Sequence, residues 1–235
     1  MKASVSLDEY LERMDEVEGW FDRMDALAIA ECLTVQQREG ISGALAEIGV
    51  HHGKSFLAMA LTEGHNDLIY AIDVFEHQEL NIDGSGCGSR QAFLANCDKF
   101  APTAKVSILA MSSLEILGRE RELMAPLRFL SIDGGHTRDI TLNDLEIADS
   151  ILVDAGMCCV DDVLHPEWTG VITGIFAFLD RNPNLVPFAL TPKKLYWCRP
   201  SYYHRRREHF RTKFAANMRR ADREIGKHLV DYYCL

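Results

Sequence analysis

The sequence predicts an α/β fold: a mostly parallel sheet of seven strands, with helices on both faces and an antiparallel hairpin near the C-terminal end. Two observations carry this. Short apolar runs of strand length alternate five times with stretches whose apolar residues recur at helical spacing, and such alternation implies parallel strands joined by crossover helices. The next two apolar runs, Val186–Leu190 and Leu195–Cys198, are separated only by a short turn containing Pro192. That connection is too short for a crossover, so the two runs pair as a hairpin.

The elements follow in order. Residues 5–39 read as two helices: Leu7, Leu11, Met14 and Val17 keep a helical period, and Trp20, Met24, Leu27 and Ala28 resume it after Gly19. These helices would cover the sheet edge, form a surface for a second copy, or act as a lid. Residues 45–50 form a buried strand, Gly49 and Gly53 bracket a turn, and 55–61 is a helix. The second strand is 68–74, with Asp73 near its end. The polar, glycine-rich stretch 76–90 is a loop long enough to be functional. A helix over 91–99 leads to the strand Lys105–Ala110, and Ser112 or Ser113 caps a helix reaching about residue 123. The strand Leu127–Ile132 runs into Asp133-Gly134-Gly135-His136, and Ile140, Leu145, Ala148, Ile151 and Leu152 mark the next helix. The fifth strand, 156–160, runs into Asp161-Asp162, and a helix spans about 170–181. Beyond the hairpin, Phe210, Phe214, Met218, Ala221 and Ile225 keep helical spacing within a basic stretch, which predicts an amphipathic helix over 202–229.

At 235 residues the chain fits a single domain: a helical extension over 1–40, an α/β core over 41–200 and a C-terminal helix over 201–235. The formal net charge of −10 disfavours general attraction to nucleic acid or an acidic membrane surface. Seven scattered cysteines with no C-x-x-C suggest neither a disulfide framework nor a zinc knuckle, and point to a reducing cytoplasm. No secretory leader and no apolar run of membrane-spanning length is visible.

Ligands on parallel sheets sit beyond the carboxyl ends of the strands. Here those ends carry Glu47 and Gly49, Asp73, Ser112 and Ser113, Asp133 and His136, and Asp161 and Asp162. The strand–turn–helix at 45–61 suits an anionic or nucleotide ligand, because glycine admits close approach and a helix N-terminus offers free N–H groups. A carboxylate at Asp73 can accept hydrogen bonds from both hydroxyls of a ribose. Asp133, Asp161 and Asp162 would repel one another without a cation, and an oxygen-only set suits a hard ion such as Mg²⁺ or another divalent cation. His136 could then take the proton of a substrate hydroxyl held by the metal. His52, Lys54 and His165 are weaker candidates for cofactor or substrate contact.

The segments EIGVHHGKS, IYAIDVF, SIDGGH and VDDV together resemble the class I S-adenosylmethionine (SAM) dependent O-methyltransferases, and the likeness covers about residues 43–198. E-x-G-x-x-x-G-x-S resembles the first motif of that class. The resemblance implies a Rossmann-like fold with SAM held by Glu47, Gly49, His51, Gly53, Ser55, Asp73, Ser113 and Asp133. Ser55 would meet the methionine carboxylate and Ser113, or Ser112, the adenine. Within the class the chain is similar to two metal-dependent groups, the catechol and the macrocin O-methyltransferase types. The interval of 28 residues from Asp133 to Asp161 resembles the metal-ligand spacing of the catechol type, and His136 falls where that type places its catalytic lysine. The macrocin-like group often has D-G-D-H; here Gly135 replaces the second aspartate, which moves the base to His136.

The expected function is therefore metal-assisted methyl transfer from SAM to a hydroxyl of a small molecule, such as a sugar, natural product or vicinal diol. The expected partners are the small substrate and a second copy of the chain, with no nucleic acid and no membrane. Two alternatives remain: a relative that uses both pockets for other chemistry such as hydroxylation, and a noncatalytic SAM-binding protein.

Overall fold

A computed structural model describes residues 3–62 and 67–235. The chain runs α1 (Leu7–Arg13), α2 (Arg23–Arg38), β1 (Ala44–Ile48), α3 (Lys54–Ala60), β2 (Leu68–Asp73), α4 (Arg90–Phe100), β3 (Lys105–Ala110), α5 (Glu120–Leu123), β4 (Leu127–Ile132), α6 (Arg138–Ile151), β5 (Leu152–Val160) and α7 (Thr169–Leu179). It ends in β6 (Val186–Leu190), β7 (Leu195–Cys198), α8 (Tyr203–Lys213), β8 (Met218–Ile225) and β9 (His228–Tyr233).

The described strands form one sheet in the order β3-β2-β1-β4-β5-β7-β6-β9-β8. The first five are parallel, while β7 runs antiparallel to both β5 and β6. Strand order reverses between β1 and β4, which opens a crevice at their carboxyl ends. Successive strand residues point to opposite faces. Leu45, Phe129 and Cys159 therefore pack with Met24, Ile29 and Phe56 on one face. Ala46, Leu130 and Cys158 pack with Leu145, Ala148 and Ile175 on the other. Burial on both faces explains why the strands read as unbroken apolar runs.

Four expectations need correction. The sheet has nine strands, not seven, because the predicted helix over 202–229 stops at Lys213 and the chain then folds into the β8–β9 hairpin. Gly226, at φ +57°, makes the hairpin turn. Asp231 is fully buried between Arg207 and Arg211, which donate to it at 2.6–2.9 Å. The apolar spacing that looked helical was shared between α8 and a strand. The outer strand β8 is exposed except at Ile225 and carries Arg219, Arg220 and Arg223, charges that discourage edge pairing. The helix expected over 112–123 is a single 3-10 turn, Ser113–Glu115, followed by the short α5; Gly118 at φ +85° separates them. Finally, Leu152 opens β5 rather than closing α6.

The N-terminal helices lie against the α3 side of the sheet. Tyr10 donates its hydroxyl to the Lys54 carbonyl at 2.5 Å, and Gln36 donates to the Arg128 and Ala155 carbonyls at 2.6 and 3.3 Å. The segment between the helices, Glu18 to Trp20, reaches the crevice. No helix among the described residues is long and apolar enough to cross a membrane.

Candidate functional site

A cavity of about 420 Å³ lies at the carboxyl ends of β1, β2, β4 and β5, within the size range of small-molecule sites. Hydrogen bonds between neighbouring strand ends set its floor: Gly49 N–H to the Ile72 carbonyl, Asp133 N–H to Ile48, and Asp161 N–H to Ile132, all at 2.8–2.9 Å. Gly49 has φ +82°, and a Cβ there would lie 1.8 Å from the Asp133 carbonyl oxygen. Any side chain would push the β1 and β4 ends apart and disrupt the floor of the cavity.

One end of the cavity is built around Asp73. Its carboxylate accepts the N–H of His51 at 2.7 Å and of Phe75 at 2.6 Å, which fixes it and leaves lone pairs toward the cavity it lines. Ser55, Ser112 and Ser113 line the same space. Ser112 caps its 3-10 turn in a reciprocal pair with Glu115, and Ser113 is the more buried of the two. Glu47 lies beneath the cavity wall, not on it: fully buried, it accepts the Ser55 hydroxyl at 2.6 Å. Burial pushes its carboxyl up to about 7 despite that bond. Gly53, at φ +88°, packs on the Phe93 ring and starts α3; it also lies outside the lining. His51 lines the cavity with its ring stacked on His52 at 3.9 Å, and burial followed by the His52 charge lowers its pKa.

The loop after β2 lies across this end. Gln78, Asn81, Ile82 and Gly86 line the cavity, and a Cβ on Gly88 would meet Asp73 Oδ1 at 2.9 Å. The loop thus covers the carboxylate at backbone distance.

At the other end stand the acids that follow β4 and β5. The structure divides the expected trio. Asp161 turns inward, and Lys194 donates to its Oδ2 at 2.8 Å. The same ammonium, wholly buried, lies 3.5 Å from Asp133 Oδ2. Burial disfavours the Asp161 charge, but Lys194 and hydrogen bonds outweigh it and hold its pKa below the usual value. Burial and then the charge of Asp161 push Asp133 well above the usual value. Asp162 adopts φ +53°, a strained conformation for a side-chain-bearing residue, and turns its carboxylate away from its neighbour toward His136.

Asp133, His136 and Asp162 gather at the cavity wall, each offering a ligand atom within 4.8 Å of the others. His136 stacks on Trp168 at 4.4 Å, with Nε2 3.3 Å from Asp162 Oδ2 and Nδ1 3.2 Å from Asp83 Oδ2. Burial opposes its charge, but the carboxylates of Asp162, Asp83 and Asp133 raise its pKa to about 9. Asp161 lines the same cavity but pairs with Lys194 at 2.8 Å, so among the described residues the close group is Asp133, His136 and Asp162 and not the all-oxygen set Asp133, Asp161 and Asp162. The two carboxylates could hold a divalent cation at the edge of the cavity, with the imidazole beside it.

Sequence reasoning missed Lys194, Asp83 and Trp168. Lys194 looks like one of two turn lysines, and Asp83 like one more polar loop residue. Only the apolar Leu195–Cys198 run directly after Lys194 hinted at its burial.

Residues 46–163 match a protein family described as a methyltransferase domain. A search of curated proteins gives no match. Among solved structures the chain is similar to the O-methyltransferase NovP, with 17% identity and a TM-score of 0.59 over 74% of this chain and 79% of that one. It is also similar to an O-methyltransferase from Bacillus cereus in complex with SAH, with 14% identity and a TM-score of 0.58 over 81% and 88%. A third is CalS11, described as a TDP-rhamnose 3'-O-methyltransferase, with 18% identity and a TM-score of 0.55 over 85% and 88%. At such identities the likeness establishes the fold. The family match begins in β1 and ends just past Asp162, so it spans both ends of the cavity. The chain belongs to the methyltransferase-domain family and carries the fold of the SAM-dependent O-methyltransferases.

Proposed function

We propose that the protein transfers the methyl group of SAM to a hydroxyl of a small molecule, with a divalent cation held by the Asp133 and Asp162 carboxylates beside His136. The observation that supports this most is continuity: one cavity joins the Asp73 carboxylate to the Asp133–His136–Asp162 cluster. A nucleoside-binding end thus adjoins a group of acids and a histidine suited to handling a hydroxyl proton.

In this reading Asp73 binds the ribose hydroxyls, Ser113 or Ser112 lies by the adenine, and Ser55 beside the α3 N-terminus meets the methionine carboxylate. SAM supplies an electrophilic methyl group. A divalent cation supplies Lewis acidity to the acceptor oxygen and offsets the carboxylate charge that otherwise keeps His136 protonated. His136 accepts the hydroxyl proton at Nε2, the nitrogen beside Asp162. The loop over 76–90 and Trp168 shield the reacting atoms from water. The acceptor is a sugar, natural product or vicinal diol, a class to which the substrate named for CalS11 belongs. The protein acts as a soluble cytoplasmic enzyme.

The test is transfer of labelled methyl from SAM to a panel of sugars, diols and phenols, before and after EDTA treatment. Transfer that is lost in EDTA and restored by added Mg²⁺ or Mn²⁺, with SAM affinity unchanged, supports the reading. Undiminished transfer in excess EDTA removes the cation from it.

A further inference from the structure

The loop that lies over the Asp73 end of the cavity also reaches the acid cluster at the other end, through one residue. Asp83 accepts the backbone N–H of His136 in a short hydrogen bond, and the same oxygen, Oδ2, lies 3.2 Å from His136 Nδ1. Its other oxygen accepts the Ser85 N–H at 3.0 Å and the Ser85 hydroxyl at 2.6 Å. The Asp83 side chain is 10% exposed, whereas its neighbour Ile82 is 66% exposed. The loop therefore leaves an apolar residue in solvent and turns its carboxylate inward.

We propose that Asp83 is a positioning residue for His136, so that loop 76–90 orients the imidazole as it covers the cavity. The inference rests on the reading of His136 as the proton acceptor. An anchor for the loop would need only the backbone N–H. The additional ring contact has a chemical consequence. In the neutral ring a carboxylate accepting from Nδ1–H keeps the proton on that nitrogen, which leaves Nε2, 3.3 Å from Asp162 Oδ2, as the nitrogen that takes up or releases a proton. Trp168 stacks on the ring at 4.4 Å and 22° between planes, which fixes its tilt. The two contacts together leave the ring one orientation. The loop that lines the cavity thus also sets the direction of the imidazole.

The test uses the full chain and four variants: Asp83→Asn, Asp83→Ala, His136→Ala and Asp83→Ala/His136→Ala. The first readout is proton NMR of the free protein. A low-field ring N–H resonance, assigned by its loss in His136→Ala, should be absent in Asp83→Ala and displaced in Asp83→Asn. An unchanged resonance in both Asp83 variants overturns the proposal. This readout needs no turnover, so it stands even if no acceptor is methylated, an outcome that would count against the proposed function alone. The second readout is kinetic. Asp83→Asn, nearly isosteric, should lower kcat by roughly 10- to 100-fold, the range for loss of a partner that orients a functional histidine, with the SAM Kd preserved. In the His136→Ala background, Asp83→Ala should cost almost nothing further, because both act through one ring. Losses that multiply in the double variant, or loss of SAM binding in Asp83→Asn, would assign Asp83 to loop folding instead.

Discussion

Replacing Lys194 by methionine would leave a buried carboxylate without its cation. At 2.8 Å from Asp161 Oδ2, a unit-charge attraction is about 6 kcal/mol at an effective dielectric constant near 20. The desolvation of both ions offsets much of this in the wild type. The variant keeps the desolvation of Asp161, which is 4% exposed, and loses the attraction. Removing one partner of a buried pair costs about 3–5 kcal/mol, a large part of the stability of an ordinary domain. Asp133, one-fifth exposed at the cavity wall, can relax into solvent and adds less. The sign with pH follows from the shifts. Asp161 is lowered in the folded protein, so its contribution is present above the unfolded carboxylate value and is lost as pH falls through the folded value. In Lys194→Met only the hydrogen bonds from Asp133 and the Asp162 N–H still oppose burial at Asp161, so its pKa rises and the variant should close the gap to wild type as the solution is acidified. Urea unfolding across a pH series measures this. Lys194→Met/Asp161→Asn, which removes the unpaired charge, should recover most of the loss at neutral pH. A single variant within about 0.5 kcal/mol of wild type at pH 7, the scale of ordinary surface substitutions, would refute the internal ion pair.

Three further outcomes follow from the same geometry. Asp73→Ala should weaken SAM binding by about 1–3 kcal/mol, the scale of hydrogen bonds to a charged group, and unchanged affinity by calorimetry would remove the ribose assignment. Asp162→Asn should weaken Mn²⁺ binding, read by electron paramagnetic resonance, whereas Asp161→Asn should lower stability and leave Mn²⁺ binding largely intact; equal losses of Mn²⁺ binding would return Asp161 to the cation site. Burial opposes the charge of Asp231, yet Arg211 and Arg207 hold its pKa down to about 2. The stability it contributes is therefore present above the unfolded carboxylate value and lost as pH falls toward about 2. Asp231→Asn should be less stable than wild type at neutral pH by chemical denaturation, with the difference vanishing near the acid end.

The parallel core was legible because burial on both faces writes itself as runs such as LIYAID and GMCCV, separated by helical periods. The C-terminal region was not, since Phe210, Phe214 and Ile225 are all core residues but belong to a helix and a strand whose spacings happen to join. Asp231, which joins β9 to Arg207 and Arg211 on α8, shows no local signal. At the site, strand ends announced Asp73, Asp133, His136 and Asp162, because polar residues directly after apolar runs have few packing explanations. Which acids face one another depends on side-chain direction. Asp161 and Asp162 are adjacent yet take different partners, His136 for Asp162 and, for Asp161, Lys194, 33 residues beyond it. Asp83 stands 53 residues before His136 in a loop whose path has no period to read. Contacts made by loops over such separations are set by tertiary structure alone.

The most direct test of the account follows the methyl carbon itself. Incubating the protein with SAM labelled with ¹³C at the methyl group and a hydroxylated acceptor, in the presence of Mg²⁺, should place the label on oxygen as a methyl ether, with one S-adenosylhomocysteine formed for each ether. The account is contradicted if the protein does not bind SAM, or if the label reaches nitrogen or carbon and never oxygen.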